Sequence, residues 1–453
     1  MTLATSLSQA LADIVGPANR TVGEQARQFA VDQATPQAVA FPATPEEVAQ
    51  LLKLADERGL TVTPRGGGTA MSMGYPPERL DLVLGTRRLN QIVAHEPRDL
   101  TVTVEAGLTM AALDLKLAEH GQMLPLDTPL PHRATIGGVL ASNVNGPHRL
   151  GYGGPRDRLI GIRVADAQGT LIKGGGRVVK NVAGYDLNKL FIGSLGTLGV
   201  IVEATFKLAP TPRAKATVVG GFARLEQALE AFEKVRQGYS RPVALELLNR
   251  AAFDYIAPRS GAPAMPDCEY LLAAGLAGGR ASVVREEAEV HRAVVTCAGK
   301  SLLLDQAIPH AAFWRALIDL GKHEEAPASM ISRTSVLYGD LAKLVHGHEA
   351  LAESGGLIAA LDVHLTHGVI RAAWWGEKLT PADHVMLAEN VKTLRIAAAN
   401  TGGAFVVESC TMPVKRAVDV WGPPGAGFPI MQRLKQQFDP HRTLSPGRFV
   451  GGI

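Results

Sequence analysis

The chain is poor in cysteine. Its three residues of that type, Cys268, Cys297 and Cys410, are widely spaced, and no Cys-X-X-Cys pair occurs. This excludes a disulfide framework and leaves no ligand set for zinc or for an iron–sulfur cluster held by this chain alone. It also fits a reducing cytoplasm. Long apolar runs are missing as well: nothing reaches the ~18 uninterrupted apolar residues of a membrane span, so no transmembrane segment is expected. The opening MTLATSLSQALADIVGP has neither a basic start nor an unbroken apolar stretch, so it does not read as a signal peptide. Blocks of one charge sign are absent too. The 46 Lys and Arg are interspersed with 43 Asp and Glu for a net charge of +3, which offers no stripe for nucleic acid.

What the sequence does have is glycine, 48 residues of it, within an ordinary globular mix of 46% apolar and 20% charged residues. Its length exceeds one core, so at least two domains are expected. Thr44-Pro45-Glu46-Glu47 reads as a helix start, with Thr44 as cap and Glu47 closing a capping box. Val48, Leu51, Leu52 and Ala55 follow at helical spacing, and Gly59 stops the helix. Residues 60–63 read as a strand that runs directly into Pro64-Arg65-Gly66-Gly67-Gly68-Thr69. Further strands are expected at 81–84, 91–94 and 100–105, then a helix carrying Met110, Leu113 and Leu117. Residues 123–158 are rich in Pro and Gly with little regular pattern, and an irregular stretch of that length marks function.

A hairpin is expected about Ala167-Gln168-Gly169, and a strand at 201–210 ends in a Pro-marked linker. A boundary is placed near 212. Residues 213–415 read as a second, α+β domain, and 416–453 become loop- and Pro-rich again, with one helix at 430–438.

Four glycine segments are candidates for a phosphate or cofactor site: 64–69, 135–146, 151–157 and 193–201. None is a P-loop, and Gly193, Gly196 and Gly199 have the wrong spacing for a dinucleotide fingerprint. What remains is a cradle of several loops, whose bare backbone lets N–H groups converge on a pyrophosphate. Thr69, Thr135 and Ser142 add hydroxyls, and Arg65 and Arg156 add charge. Four such loops together outweigh the reading of each as a plain turn.

PRGGGT, ATIGGVLASNVNGPHRLGYGGPRDRLIG and GGRVVKNVAGYDLNKLFIGSLGTLGVIVEATFKL together resemble the FAD-binding domain of the vanillyl-alcohol-oxidase superfamily. KNVAGYDLNKL and the tail VDVWGPPGAGFPIMQRLKQQFDPHRTLSPGRFVGGI are similar to the smaller FAD-binding subunits of bacterial glycolate oxidases. The likeness covers nearly all of the first half and the last ~35 residues, and is weak across 213–415. It implies an α+β fold: a two-subdomain FAD-binding domain at 1–212, a cap domain with an antiparallel sheet at 213–415, and a segment at 416–453 returning to the first.

The resemblance also implies roles. Pro64, Arg65, Gly66, Gly67, Gly68 and Thr69 would cradle the FAD pyrophosphate, and Pro125 and Asp127 would line the flavin. Thr135, Ile136, Gly137, Gly138, Asn143 and Gly146 would follow the ribityl chain and diphosphate. Tyr152, Gly153, Arg156 and Asp157 would surround the isoalloxazine and phosphate. Gly199, Val200 and Ile201 would present backbone to the adenine half. Thr69 stands where members with covalent flavin carry a His, so non-covalent FAD is expected. Gly154 and Ser445 also depart from the family pattern, each removing a polar contact. Lys180, Asn181 and Tyr185 stand out by resemblance alone and are expected to serve packing, as are Trp374 and Trp375.

For catalysis, His364 and His367 are the candidate bases for a hydroxyl proton, and Arg333 and Arg371 the partners for a carboxylate, with Glu408 an outside possibility. The alternative for the His pair is an ordinary surface role. No metal is expected, since the pair lacks further ligands.

The resulting expectation is an FAD-dependent oxidoreductase oxidising a small 2-hydroxy acid, glycolate first, to its keto acid. No NAD fingerprint is present, so the reoxidant is oxygen, a quinone or a partner. The resemblance favours a complex with a second flavoprotein subunit and an iron–sulfur subunit. The expected location is the cytoplasm, with any membrane association made through those partners. A flavin-binding relay or structural subunit without turnover is the alternative. A cell-wall precursor reductase using NADPH is the third reading.

Overall fold

Local chemistry sets the first long helix. Thr44 Oγ1 accepts from the Glu47 amide at 3.1 Å, and the Glu47 carboxylate reaches back to the Ala43 amide at 2.7 Å. Orphan donors are thus satisfied from both sides. Pro45 takes the first position of the helix Pro45–Glu57, whose inner face buries Val48, Leu51, Leu52 and Ala55. The computed structural model describes residues 3–176, 186–376 and 380–453, so Lys180, Asn181 and Tyr185 lie outside the described residues.

The chain divides into two units. The first comprises 1–144, 154–211 and 423–453; the second comprises 145–153 and 212–422. In the first, a four-stranded sheet runs in the order Arg20–Val22, Ala38–Ala40, Leu82–Gly85, Val62–Arg65, its last two pairings parallel. A five-stranded antiparallel sheet follows: Ile92–Glu96, Thr101–Glu105, Val200–Lys207, Leu159–Ala165, Leu171–Gly175. Leu51 and Leu52 pack with Ala38, Val62, Leu82, Ala165 and Val200, so one core joins both sheets. The hairpin about Gly169 closes as the sequence suggests, with Asp166 Oδ1 accepting from the amides of Gln168 (3.0 Å) and Thr170 (2.7 Å).

The C-terminal segment completes this unit. The Val62 amide donates to the Thr443 carbonyl at 2.7 Å and the Ser445 amide to the Val62 carbonyl at 2.9 Å, so residues 443–445 extend the sheet beyond its edge strand. Lys435, on the helix Phe428–Phe438, sends its three protons to Asp439 Oδ2 (2.6 Å), the Leu444 carbonyl (2.8 Å) and the Thr197 carbonyl (2.9 Å). Asp439 in turn accepts from the amides of Thr443 (2.7 Å) and Leu444 (2.8 Å).

The second unit is built on an eight-stranded antiparallel sheet. Its order is Lys300–Leu304, Ala214–Phe222, Tyr270–Gly278, Ala244–Asn249, Leu357–His364, Val369–Gly376, Met330–Ser335, Ala404–Cys410. The helices Arg250–Ser260 and Ala307–Ile318 pack Phe253, Ile256, Phe313 and Leu317 on Leu248, Leu271, Ala360 and Ala373 of one sheet face. Trp374 is fully buried and donates to Ser332 Oγ at 3.1 Å, and Trp375 stacks on Tyr255 with ring centroids 5.5 Å apart.

Residues 145–153, expected within the first domain, belong to the second unit. The Gly151 amide donates to the Val243 carbonyl at 3.0 Å, and the His148 ring meets the Trp314 ring edge-on at 5.1 Å. A side chain at Gly151 would press on Val243, so glycine is what permits this contact.

Two buried histidines of this unit give a pH expectation. His348 is bonded to the Leu344 carbonyl at 2.7 Å and to Thr334 Oγ1 at 3.2 Å. Thr217 Oγ1 accepts from Trp314 Nε1 at 2.8 Å and is hydrogen-bonded to His310 Nδ1 at 2.8 Å. Burial pushes both imidazoles down to about 4. Each is neutral in the fold, while the unfolded chain takes up protons below its ordinary pKa near 6.5. Stability is therefore lost as pH falls from about 6.5 towards 4. The melting temperature of this unit should drop steadily across that range, and less so in His348→Gln. A flat profile would show that these groups do not govern acid unfolding.

Candidate functional site

The strand Val62–Arg65 delivers the glycine triplet, and Gly68 turns it with φ +78°. A Cβ on Gly66 would overlap Thr135 Oγ1, one on Gly67 would overlap the Arg133 carbonyl oxygen, and one on Gly68 would meet the Arg65 guanidinium at 2.7 Å. The bare backbone thus serves first the close approach of residues 133–135, a use the sequence does not reveal.

That approach leaves donors turned outward. Among the described residues the amides of Gly67, Gly68 and Thr69 donate to no carbonyl. They line a cavity of ≈ 530 Å³ together with Thr63, Thr135, Gly138, Ser142 and Arg448. Thr63 Oγ1 is buried there with no hydrogen-bond partner. An adjoining cavity of ≈ 850 Å³ adds Arg87 and Arg133 to Gly66, Gly67 and Thr135. Free amides, an unpartnered hydroxyl and several guanidinium groups suit a pyrophosphate, so the residues present fit FAD.

Arg448 was not singled out from the sequence. Its Nη2 donates to the carbonyls of Met71 (2.6 Å) and Met73 (2.7 Å), holding the far side of the glycine loop. The signal lay in Ser445-Pro446-Gly447-Arg448, which reads as a generic turn until the tail is seen folded back.

The other cofactor candidates divide. Pro125 is buried and Asp127 half-buried, both in the loop before the helix Ile136–Ser142. Thr135 caps that helix, accepting from the Gly138 amide at 3.4 Å, while Gly137 packs against Ala106. Ile136 points into the core. Asn143 ends the helix in the left-handed region at φ 51°, a conformation Asn tolerates.

Asp157 accepts from the Gly154 amide at 2.8 Å, so it caps the short helix Pro155–Arg158, and Arg156 donates to the Lys189 carbonyl at 3.1 Å. Gly199 is required by Val164 and Phe191 against its Cα. Val200 and Ile201 bury their side chains and pair with Ala165 and Val164, which leaves only backbone to offer a ligand. Gly146, Tyr152 and Gly153 stand in the second unit.

The catalytic candidates come together by sheet register. Asp362 pairs across to Arg371, and Arg371 to Arg333, on three neighbouring strands. In the outermost strand the pairing slips between Ile331 and Ser332, leaving Glu408 as a bulge residue without a ladder partner. Glu408 lies 3.7 Å from Arg333 Nε and 3.9 Å from Arg371 Nε. Arg371 also donates to the Leu320 carbonyl at 3.1 Å. Burial pushes the Glu408 carboxyl up, but Arg333, Arg371, Lys322 and His364 together pull it below its ordinary value.

His364 ends its strand with Nδ1 2.8 Å from Glu246 Oε2 and Nε2 3.9 Å from Asp362 Oδ2. Both carboxylates are at most 2% exposed. Burial pushes the imidazole down, yet Glu246 and Asp362 outweigh this and hold it up at about 9. The donor atoms of these three residues lie within 4.8 Å of one another. Each carboxylate faces its own ring nitrogen, an arrangement that favours a proton on both nitrogens over a shared metal ion. His367 differs: burial, then Arg149 and His364, push it below its ordinary value. It bonds Thr366 Oγ1 at 2.9 Å and lines a cavity of ≈ 780 Å³. Glu246, Asp362, Lys322 and Arg149 escaped the sequence reading because only strand pairing and chain return bring them here.

Two family models match the chain: an FAD binding domain over residues 36–175 and the C-terminal domain of FAD linked oxidases over 211–403. The glycolate oxidase subunit GlcD of Bacillus subtilis is 35% identical over 218 residues, 48% of this chain and 46% of that protein, so the chain matches less than half of that relative's length. A D-2-hydroxyglutarate dehydrogenase of Xanthomonas citri pv. viticola is 27% identical over 431 residues, 91% of this chain and 89% of that protein. The structure of p-cresol methylhydroxylase superposes with a TM-score of 0.79 at 17% identity, covering 98% of this chain and 96% of that one. Among the described residues no helix is long and apolar enough to cross a membrane. The glycine cradle, the paired sheets and the antiparallel second unit agree with these matches: the chain carries an FAD binding domain and the C-terminal domain of FAD linked oxidases, has the fold of p-cresol methylhydroxylase, and is an FAD-dependent oxidoreductase.

Proposed function

We propose that this oxidoreductase acts on a small 2-hydroxy acid, glycolate first, and passes electrons to a partner or a quinone. The observation that carries the reading is the charged row of the second unit. Arg333 and Arg371 flank Glu408, and His364 flanks Glu246 and Asp362, so two guanidinium groups and an imidazole stand together on neighbouring strands. Paired guanidinium groups suit a substrate carboxylate, which they can hold by bidentate hydrogen bonds.

FAD, when bound, supplies the acceptor for a hydride from the α-carbon. This chain's residues supply the rest. The Arg371 guanidinium, with Arg333, binds and orients the carboxylate, and a histidine of the pair His364 and His367 takes the hydroxyl proton. With Thr69 in place of a linking His, the cofactor is held without a covalent bond by residues 64–69, Thr135, Gly138 and Arg448. The GlcD relative, which is itself a subunit, supports a complex, whose further members by the sequence resemblance would be a second flavoprotein subunit and an iron–sulfur subunit.

The test is anaerobic addition of glycolate, D-lactate or D-2-hydroxyglutarate to the purified, flavin-loaded chain. Glycolate should bleach the flavin most efficiently, and acid precipitation should leave the flavin in solution. Arg371→Met should raise KM by roughly ten- to a hundredfold, the loss of one or two charge-assisted hydrogen bonds. A flavin that stays yellow with all three acids would favour a relay subunit. One observation favours that second reading: Glu408 already occupies Arg333 and Arg371 as an internal carboxylate.

A further inference from the structure

The two histidines three residues apart have opposite surroundings, and within the proposed site, on which this inference rests, that difference assigns them different tasks. His364 has a carboxylate at each ring nitrogen, Glu246 at 2.8 Å and Asp362 at 3.9 Å. An ionised carboxylate only accepts, and both approaches are ion-pair distances, with no hydrogen bond formed at Glu246 Oε2, so a proton on each ring nitrogen is the charge form that serves both neighbours. Glu246 and Asp362 are buried to within 2% of full enclosure, where an uncompensated carboxylate is costly.

Arg371 is the cross-strand partner of Asp362, but it also serves Glu408 and the Leu320 carbonyl. A His364 ring fixed in this way has no lone pair with which to take a proton from substrate.

His367 stands on the other side of the balance. Its charged neighbours are cations, Arg149 and His364 itself, and no carboxylate is paired with it among the described ion pairs. Its Nδ1 contact is the Thr366 hydroxyl at 2.9 Å, which can accept from Nδ1–H and so leave Nε2 with a lone pair. The adjacent Gly368 has φ +64°, and a Cβ there would overlap the Val336 carbonyl, so the backbone fixes where the His367 ring begins. The ring opens on the ≈ 780 Å³ cavity lined by Phe232, Val336, Leu337 and Tyr338.

We propose that His364 is a charged positioning residue that holds Glu246 and Asp362 in place beside the arginine pair, and that His367 alone is the base that takes the hydroxyl proton. His367 Nε2 would take the proton from the hydroxyl oxygen, and FAD, when bound, would supply the acceptor for the hydride that carries off both electrons of the C–H bond. His367 then returns the proton to solvent.

The test uses the flavin-loaded full chain labelled with ¹⁵N-histidine, with the two ring signals assigned from His364→Asn and His367→Asn. The expected result is an imidazolium at His364 up to about pH 8 and a neutral ring at His367 down to about pH 6.5, either side of the ordinary histidine range. Glu246→Gln, which keeps the ring in place, should move the His364 titration down by at least about one pH unit. A His364 signal that is neutral at pH 7.5, or one unmoved by Glu246→Gln, would overturn the assignment of its charge.

Turnover separates the roles. His367→Asn should lose roughly a hundredfold or more in kcat with little change in KM, as removal of a general base does. His364→Asn should raise KM about tenfold with kcat nearly kept, the loss of one charge interaction. The reverse pattern would overturn the division of roles. A wild-type chain that bleaches with no 2-hydroxy acid would sink the proposed function, and the base role of His367 with it. The ring spectra would still decide the charge on His364.

Discussion

Replacing Gly67 with Ala is expected to yield a protein without its visible flavin bands. The new Cβ would land on the Arg133 carbonyl oxygen, which is backbone and cannot swing aside as a side chain would. Residues 133–135 would have to retreat, and Thr135 with them. That movement opens the cradle in which the amides of Gly67, Gly68 and Thr69 stand free. Overpacking of this kind costs about 1–3 kcal/mol of stability, but the loss of aligned donors costs cofactor affinity on top of that. The ratio of flavin to protein absorbance after gel filtration reads the effect directly. Gly138→Ala, whose Cβ would meet Thr135 Oγ1 at 3.3 Å, serves as a milder comparison and should keep a substantial share of the cofactor. Full flavin content in Gly67→Ala would refute the reading of this loop as the pyrophosphate seat.

Lys435→Met is expected to be the most destabilising single change outside that loop. Lys435 and Asp439 form a buried pair at 2.6 Å, with side chains 6% and 0% exposed, and burial already pushes the ammonium below its ordinary pKa. Removing the cation strands a carboxylate in the interior and orphans the Thr197 and Leu444 carbonyls. Breaking such a pair costs about 3–5 kcal/mol. For a unit of this size that is on the order of 10 °C in melting temperature. Adding Asp439→Leu should not restore the loss, because Asp439 also holds the amides of Thr443 and Leu444. A Lys435→Met protein that melts within a degree or two of wild type would show that the pair is dispensable.

Much of the cofactor half was legible because its signals are local. The capping box at Thr44, the strand before the glycine triplet and the turn at Gly169 each follow from residues within a few positions of one another. The meaning of the triplet was only half legible. Its glycines face Thr135 and Arg133, some 67 residues on by number, and nothing near position 66 announces that neighbour.

The assignment of 145–153 failed for a related reason: a segment continuous with the cofactor motif pairs its backbone with Val243 instead. In the second unit, His364 and His367 could be singled out because adjacent histidines are conspicuous. Glu246, 2.8 Å from the His364 ring, is a lone acid within the buried apolar run Ala244-Leu245-Glu246-Leu247-Leu248, and nothing near it in sequence names the histidine it meets.

The edge strand Val62–Arg65 is completed by residues 443–445, and its loop is clamped by Arg448. In the order of protein synthesis, that makes the proposed flavin seat a late event. The helix Pro45–Glu57 and both its sheets begin to emerge early, but the seat stays open until residue 448 has left the ribosome. By then nearly all of the second unit, 212–422, has been made as one continuous stretch and is free to fold by itself, as domains do during translation. Cofactor loading then has to wait for residues 443–448, and a ribosome stalled anywhere before them holds a nascent protein that cannot yet keep its flavin.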